Sequence, residues 1–178
     1  VVEEGGTRRL PIAIKKAPSI RGLVRDPRGA TLAGTRIRIL PSSHEEVTSD
    51  ADGWFEITWN AQGWGDENMV SCLVAQHEQR NLAGAFELSE GSATLDVKLD
   101  PGITLTGRIV DASGKAIAGA KIRPMLNVSN WGSSLDRNEI DTGSDGCFRI
   151  PAVPAGRKYS IYARAVGYGK QTVRTEAD

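Results

Sequence analysis

His44 and His77 are the only histidines in this chain, and Ser42 and Ser43 stand beside the first of them. A hydroxyl, an imidazole and a carboxylate brought together would support acyl transfer, and such a group is set by geometry rather than by sequence order. But Pro41-Ser42-Ser43-His44-Glu45-Glu46 reads as a polar loop between strands, and no strained nucleophile turn surrounds either serine. We expect no catalytic residue. Asp50-Ala51-Asp52-Gly53 begins like a calcium loop, yet the twelfth position of an EF-hand requires a Glu and this chain has Ala61 there. The corresponding Gly143-Ser144-Asp145-Gly146 keeps only one acid. Both read as hairpin turns, and no Cys/His spacing suits zinc, so neither a metal nor a cofactor is expected.

The aromatic residues carry the remaining chemistry. Trp54, Trp59 and Trp64 fall close together, and Trp131 occupies a separate loop. Phe55 and Ile57 are expected to face a core, which turns Trp54 outward. Trp59 and Trp64 flank Asn60, Gln62 and Asp66. Flat rings beside amides and carboxylates suit the apolar face and the hydroxyls of a sugar, although burial is the commoner fate of a Trp. Trp59, Trp64 and Trp131 are therefore the candidate ligand-stacking residues, with polysaccharide as the ligand class.

Composition limits the alternatives. The 22 basic residues balance 22 acidic ones, so no global field draws the chain toward nucleic acid. The charge is banded: nine Lys/Arg against three acids over 1–40, two against twelve over 41–100, and eleven against seven over 101–178. Either strands present different faces, or the acidic band of one module docks on a basic neighbour. Cys72 and Cys147 stand at non-equivalent places, which predicts free thiols rather than a disulfide framework. No stretch approaches 18 apolar residues, so no membrane span is expected. The opening Val1-Val2-Glu3-Glu4 reads as a mature product or an excised fragment. Asn127-Val128-Ser129 matches a glycosylation sequon, which matters only in a eukaryotic secretory setting.

The elements that must position these residues are written twice. Ile20-Arg21-Gly22-Leu23-Val24-Arg25-Asp26 recurs as Leu105-Thr106-Gly107-Arg108-Ile109-Val110-Asp111, at an offset of 85 residues. The offset holds through Gly29/Gly114, Gly34/Gly119, Ile37/Ile122 and Arg38/Arg123, and a fixed period with turn glycines in step means two copies of one folding unit. Apolar and polar residues alternate in Thr35 to Ile39, Phe55 to Thr58 and Ser160 to Ala165, the signature of half-buried strands. Asp-Gly turns punctuate them.

Strands are predicted near 8–15, 20–25, 35–40, 45–49, 53–59, 69–77 and 82–88, then near 93–99, 103–111, 120–125, 138–143, 146–151, 158–165 and 169–175. Seven short strands per copy predict tandem Greek-key β-sandwiches with little or no helix. The domains are assigned to 1–92 and 93–178, with the boundary inside 89–102. Leu95 to Leu99 either opens the second copy or closes the first. The same five positions align with Leu10-Pro11-Ile12-Ala13-Ile14, so residues 8–15 imitate an inter-module strand and further copies are expected to flank this stretch. Two enlarged loops, Trp59 to Asp66 and Asn127 to Asn138, are the places to look for binding.

The motif Gly-x-Val/Ile-x-Asp, a short turn, Gly-x-x-x-x-Gly-x-x-Ile and then Asp-Gly-x-Phe runs from Gly22 to Phe55 and again from Gly107 to Phe148. With Pro154 to Tyr159 and Gly167-Tyr168, it resembles the carboxypeptidase regulatory-like family. The first copy departs where Gly167-Tyr168 would fall, reading Glu78-Gln79-Arg80-Asn81. The resemblance implies a transthyretin-like or prealbumin-like sandwich, an accessory and rarely catalytic module of exported peptidases, glycan-processing proteins, outer-membrane receptors and bacterial surface proteins. Two enzymes with related sandwiches are controls. Hydroxyisourate hydrolases end in Tyr-Arg-Gly-Ser, where this chain ends Val173 to Asp178. Intradiol dioxygenases hold iron with two Tyr and two His, but here the tyrosines and histidines lie in different copies.

The sequence thus predicts a non-catalytic pair of modules from a larger exported bacterial protein, extracellular or in the cell envelope, that spaces or presents neighbouring domains. The alternative is a carbohydrate-binding module using Trp59, Trp64 and Trp131. An enzyme with its site between the copies comes last. The spacer reading predicts independent and similar unfolding of the two copies.

Overall fold

Ile20, Gly22 and Val24 alternate with Arg21, Leu23 and Arg25, and the first set is buried while the second is exposed or half-buried. That alternation drives the whole architecture, because a strand presents successive side chains to opposite faces. A computed structural model describes residues 10–13, 18–41, 45–59, 70–89, 91–128, 131–136 and 138–177. In chain order the strands are β1 (Ser19–Arg25), β2 (Arg36–Leu40), β3 (Glu46–Thr48), β4 (Trp54–Thr58), β5 (Ser71–His77) and β6 (Leu82–Leu88). There follow β7 (Thr94–Lys98), β8 (Asp100–Pro101), β9 (Ile103–Arg108), β10 (Lys121–Val128) and β11 (Trp131–Ser134). The last are β12 (Ile140–Asp141), β13 (Cys147–Val153), β14 (Arg157–Arg164) and β15 (Gln171–Ala177). A 3₁₀ turn, Glu78–Arg80, links β5 to β6, and the described residues contain no α-helix. The fold is all-β.

In the N-terminal half, sheet β4-β1-β7 faces sheet β3-β2-β5-β6-β8. Between them lie Ile20, Val24, Ile37, Ile39, Phe55, Ile57, Trp59, Leu73, Val97 and Leu99, all buried in one core. In the C-terminal half the pair β13-β9 faces β11-β10-β14-β15, and β12 also pairs with β10. The strand left open between closing one copy and opening the next, β7, pairs in parallel with β1 and puts Val97 in the first core. Of the strand expected over 8–15, residues 10–13 are described; they carry no strand, and Leu10 and Ile12 are exposed. The strand expected at 120–125 runs on to Val128 and turns back as β11, a hairpin inside the enlarged loop.

The halves repeat the same local hydrogen bonds. Asp26 Oδ1 accepts from the amides of Arg28 and Ala30, and Asp111 Oδ1 accepts from those of Ser113 and Lys115. Each aspartate thereby closes its own turn, the usual reason Asp favours such sites. The Ser49 hydroxyl donates to Leu32 O and accepts from Thr35 N; the Thr142 hydroxyl donates to Ile117 O and accepts from Ala120 N. Ser49 is therefore the counterpart of Thr142. Gly22 and Gly107 are fixed by packing: a Cβ would sit 2.4 Å from the Phe55 ring at the first and 2.5 Å from the Phe148 ring at the second.

Candidate functional site

β5 breaks the alternation that built the rest of the sheet: all seven of its residues are buried. Leu73 and Ala75 face the first core. Cys72 and Val74, with Leu40 of β2, face the other way and join the second core, among Ile122, Leu126, Val128, Leu135, Ile150, Val153, Tyr159 and Ile161. A strand covered on both faces reads as a continuous apolar run. The outer face of the first half's sheet thus supplies part of the second half's interior.

Polar groups frame this apolar joint. The Arg36 guanidinium grips Asp136 through both nitrogens, Nη1 at 2.9 Å from Oδ1 and Nη2 at 3.2 Å from Oδ2, a planar match specific to arginine. Nη2 also donates to Gln76 Oε1 at 3.0 Å. Burial pulls the Arg36 pKa down, and Asp136 together with the Glu46 and Glu78 carboxylates more than offsets it, leaving the net shift upward. Arg38, only 9 % exposed, donates to the carbonyls of Ser134 and Leu135. From the other side Arg157 Nη2 donates to Ala85 O at 2.9 Å.

Asn81 stitches the joint to the backbone. It sits in the left-handed region at φ 48°, capping the 3₁₀ turn. Its carbonyl accepts from Gly102 N at 2.7 Å, its amide nitrogen donates to Gly102 O at 2.5 Å, and its amide oxygen accepts from Ala152 N at 2.8 Å. Gln76 Nε2 donates to Ala152 O at 2.8 Å. Both backbone groups of Ala152 are thus satisfied by side chains of the first half, which matters because buried unpaired groups are costly. The Glu78-Gln79-Arg80-Asn81 segment, which departs from the motif of the second copy, contributes Asn81 to the contact between the halves.

The candidate stacking residues separate. Trp59 is 6 % exposed and lies in the first core, so it offers no ring to a ligand. It continues the inward phase of Phe55 and Ile57 one step past β4, and its amide donates to Pro18 O at 2.9 Å. Trp64 lies outside the described residues. Trp54 points outward, as expected, with the Arg21 guanidinium 4.8 Å from its ring centroid, within cation–π range. Trp131 is half-buried at the β10–β11 hairpin and packs partly on the second core. Beside it opens a cavity of about 750 Å³, lined by Trp131, Tyr162, Asn127, Ser160, Lys158 and Arg174 among others. Tyr162 is 46 % exposed. Asn127 Nδ2 donates to Ser160 Oγ at 2.9 Å, which fixes the amide in that wall.

Groups with reactive potential are occupied elsewhere. His77 Nδ1 accepts from Arg80 N at 3.3 Å, capping the 3₁₀ turn, and His44 lies outside the described residues. Asp50 Oδ1 accepts from the amides of Asp52 and Trp54, so it works as a turn. Asp26 is held below the usual carboxylate range by the Arg80 guanidinium at 2.8 Å, against the opposing effect of burial. Burial pushes the Cys72 thiol up to about 11, and Cys147 is exposed; neither is in a disulfide. Burial likewise raises Tyr159, whose hydroxyl donates to Pro154 O at 2.7 Å. No group of three or more His, Cys, Asp or Glu suited to a metal occurs among the described residues, and none of their helices is long and apolar enough to cross a membrane.

Residues 104–177 match the family model of the carboxypeptidase regulatory-like domain. The match covers the C-terminal half, whereas the motif resemblance extends over both. No curated protein matches the chain. Among solved structures, a streptococcal ancillary pilin is 12 % identical with a TM-score of 0.33, over 93 % of this chain and 60 % of the pilin. The Bacillus anthracis TIE protein is 17 % identical with a TM-score of 0.35, over 92 % of this chain and 32 % of that one. A DUF3823 family protein from Parabacteroides merdae is 12 % identical with a TM-score of 0.30, over 89 % and 96 % of the two chains. The chain therefore spans less than two thirds of the length of the pilin and of the TIE protein.

Proposed function

We propose that this chain is a tandem pair of transthyretin-like sandwiches, meeting between residues 99 and 102, that acts as a non-catalytic spacer. It holds neighbouring domains of a larger exported bacterial protein apart at a set angle, outside the cell or in its envelope. The observation that carries this reading is β5, buried on both faces between two cores. Small, polar interfaces leave domains free to move, whereas a large apolar one does not. The shared core also replaces the expectation of independent unfolding with that of a coupled pair.

Spin labels test it. One label goes on the exposed Cys147 of the second half and the other on an Arg28→Cys variant in the exposed turn after β1 of the first, while Cys72 stays buried and unlabelled. A spacer gives one narrow distance distribution between the labels. A broad distribution would sink the reading.

The cavity beside Trp131 favours a second role, binding of a polysaccharide chain. It combines two aromatic rings with an amide, a hydroxyl and two cations, Lys158 and Arg174. That set matches a sugar bearing carboxylate or sulfate groups better than a neutral one. Titration with soluble polysaccharides should give a saturable change in tryptophan fluorescence, strongest with an anionic polymer and lost in Trp131→Ala. A flat response across neutral and anionic polymers removes this role and leaves the spacer.

A further inference from the structure

We infer that the free edge of β9 accepts a parallel strand, and that residues Leu10 to Ala13 of a second copy of this chain supply it. In the first half, β1 lies between two partners, β4 on one side and β7 on the other. In the second half β9 pairs with β13 alone among the described strands. The difference shows in the core. Ile20 and Val24, which β7 helps to cover, are 0 % exposed; their counterparts Leu105 and Ile109 are only partly buried. Phe55 is 5 % exposed, and Phe148 is again only partly buried. An open edge over half-covered apolar residues is a site for strand addition.

The chain carries a segment with the right pattern. Leu10-Pro11-Ile12-Ala13 lies in step with Leu95-Asp96-Val97-Lys98 at the repeat offset, so Leu10 and Ile12 take the positions of Leu95 and Val97. Those two residues of β7 face the first core, Val97 at 1 % exposure. Leu10 and Ile12 are instead 67 % and 82 % exposed.

Pro11 fits as well. Arg21 N donates to Ala93 O and Leu99 N donates to Arg25 O. Stepping by two between these bonds makes Leu95, Val97 and Leu99 the donors to β1. The amide of Asp96 therefore points away from β1, and a proline at that position removes no ladder bond. It also blunts the new outer edge against further pairing.

The repeat says whose edge is filled. β7 leads directly into β9, yet it completes the half that precedes β9. By the same register, residues 10–13 lead into β1 and are built to complete a half that precedes β1. The C-terminal half of a second copy has that edge open. Such a contact is heterologous and joins copies head to tail.

This rests on the spacer reading and names its partner; diluting labelled chain with excess unlabelled chain keeps the label distance above intramolecular, so the two tests fail separately. In sedimentation velocity the full chain should form larger species as concentration rises. Ile12→Asp should abolish them, and excess synthetic peptide of residues 8–16 should dissolve them. With Cys147→Ser as background, Ala13→Cys and Val110→Cys, both on outward positions paired by the proposed register, should link copies into a disulfide ladder. A chain that stays monomeric at every concentration and fails to cross-link overturns the inference. So does association that survives Ile12→Asp.

Discussion

Val74→Asp should split one unfolding transition into two. Val74 is 3 % exposed and belongs to the second core although it lies on a strand of the first half. Its cross-strand neighbour Arg38 is already engaged by Glu46 and by the carbonyls of Ser134 and Leu135, so a buried aspartate there must break that network, one of the few changes worth about 4 kcal/mol or more. The first half's own core lies on the opposite face of β5, so that half should stay folded while the joint opens. Calorimetry of the natural chain should give one transition, with calorimetric and van't Hoff enthalpies in agreement. In Val74→Asp on a Trp131→Phe background, tryptophan emission, which then arises from the first half alone, and the calorimetric trace should part company. Val74→Ala is the control, since it shortens the contact without adding charge and should keep the single transition. If Val74→Asp merely lowers one cooperative transition, the first half does not stand on its own core and the expected split fails.

Trp59→Ala has the second large effect. Deleting a buried indole removes its transfer free energy and leaves a cavity, together about 3–5 kcal/mol. In a chain of this size that is a loss on the order of 10 °C in Tm. Trp59 Nε1 is buried and finds no acceptor among the described residues. Trp59→Phe keeps most of the ring and drops this unpartnered donor, so it should recover most of the stability. Binding of polysaccharide at Trp131 should survive both changes in the folded protein. Thermal melts decide the matter: a Trp59→Ala variant as stable as the natural chain would remove Trp59 from the core.

The turns were the most legible part of this molecule, because they depend on residues a few positions apart. Asp26 and Asp111 each accept two nearby amides, and glycines follow at fixed steps. Strand phase was legible too, as at Phe55 and Ile57. Trp59 was misplaced because its inward phase competes with the polar residues that follow it. Counting by twos from Phe55 puts it in the core, whereas its neighbours Asn60 and Gln62 suggest a loop.

The joint was harder to read, since it depends on residues 50 to 100 positions apart. It left one local trace. Val70 to Ala75 is apolar almost throughout, where its counterpart over 157–164 alternates, and that loss of alternation marks a strand covered on both sides. Arg36 and Arg38 gave no such trace, because an arginine on an outer strand face looks the same whether it meets water or Asp136. The β11 hairpin was hidden for a related reason. Trp131 to Ser134 has little strand character of its own and is held by pairing with β10.

The shared core also sets an order of events during synthesis. Leu40, Cys72 and Val74 leave the ribosome well before Ile122, Leu126 and Tyr159, which cover them in the finished protein. At about 5–20 residues per second the gap lasts on the order of 10 s. During that interval the N-terminal sandwich can close its own core but must display an apolar sheet face to the surrounding solution. For those seconds the nascent chain is a client for holding chaperones, and pausing translation between the halves would raise the risk of aggregation.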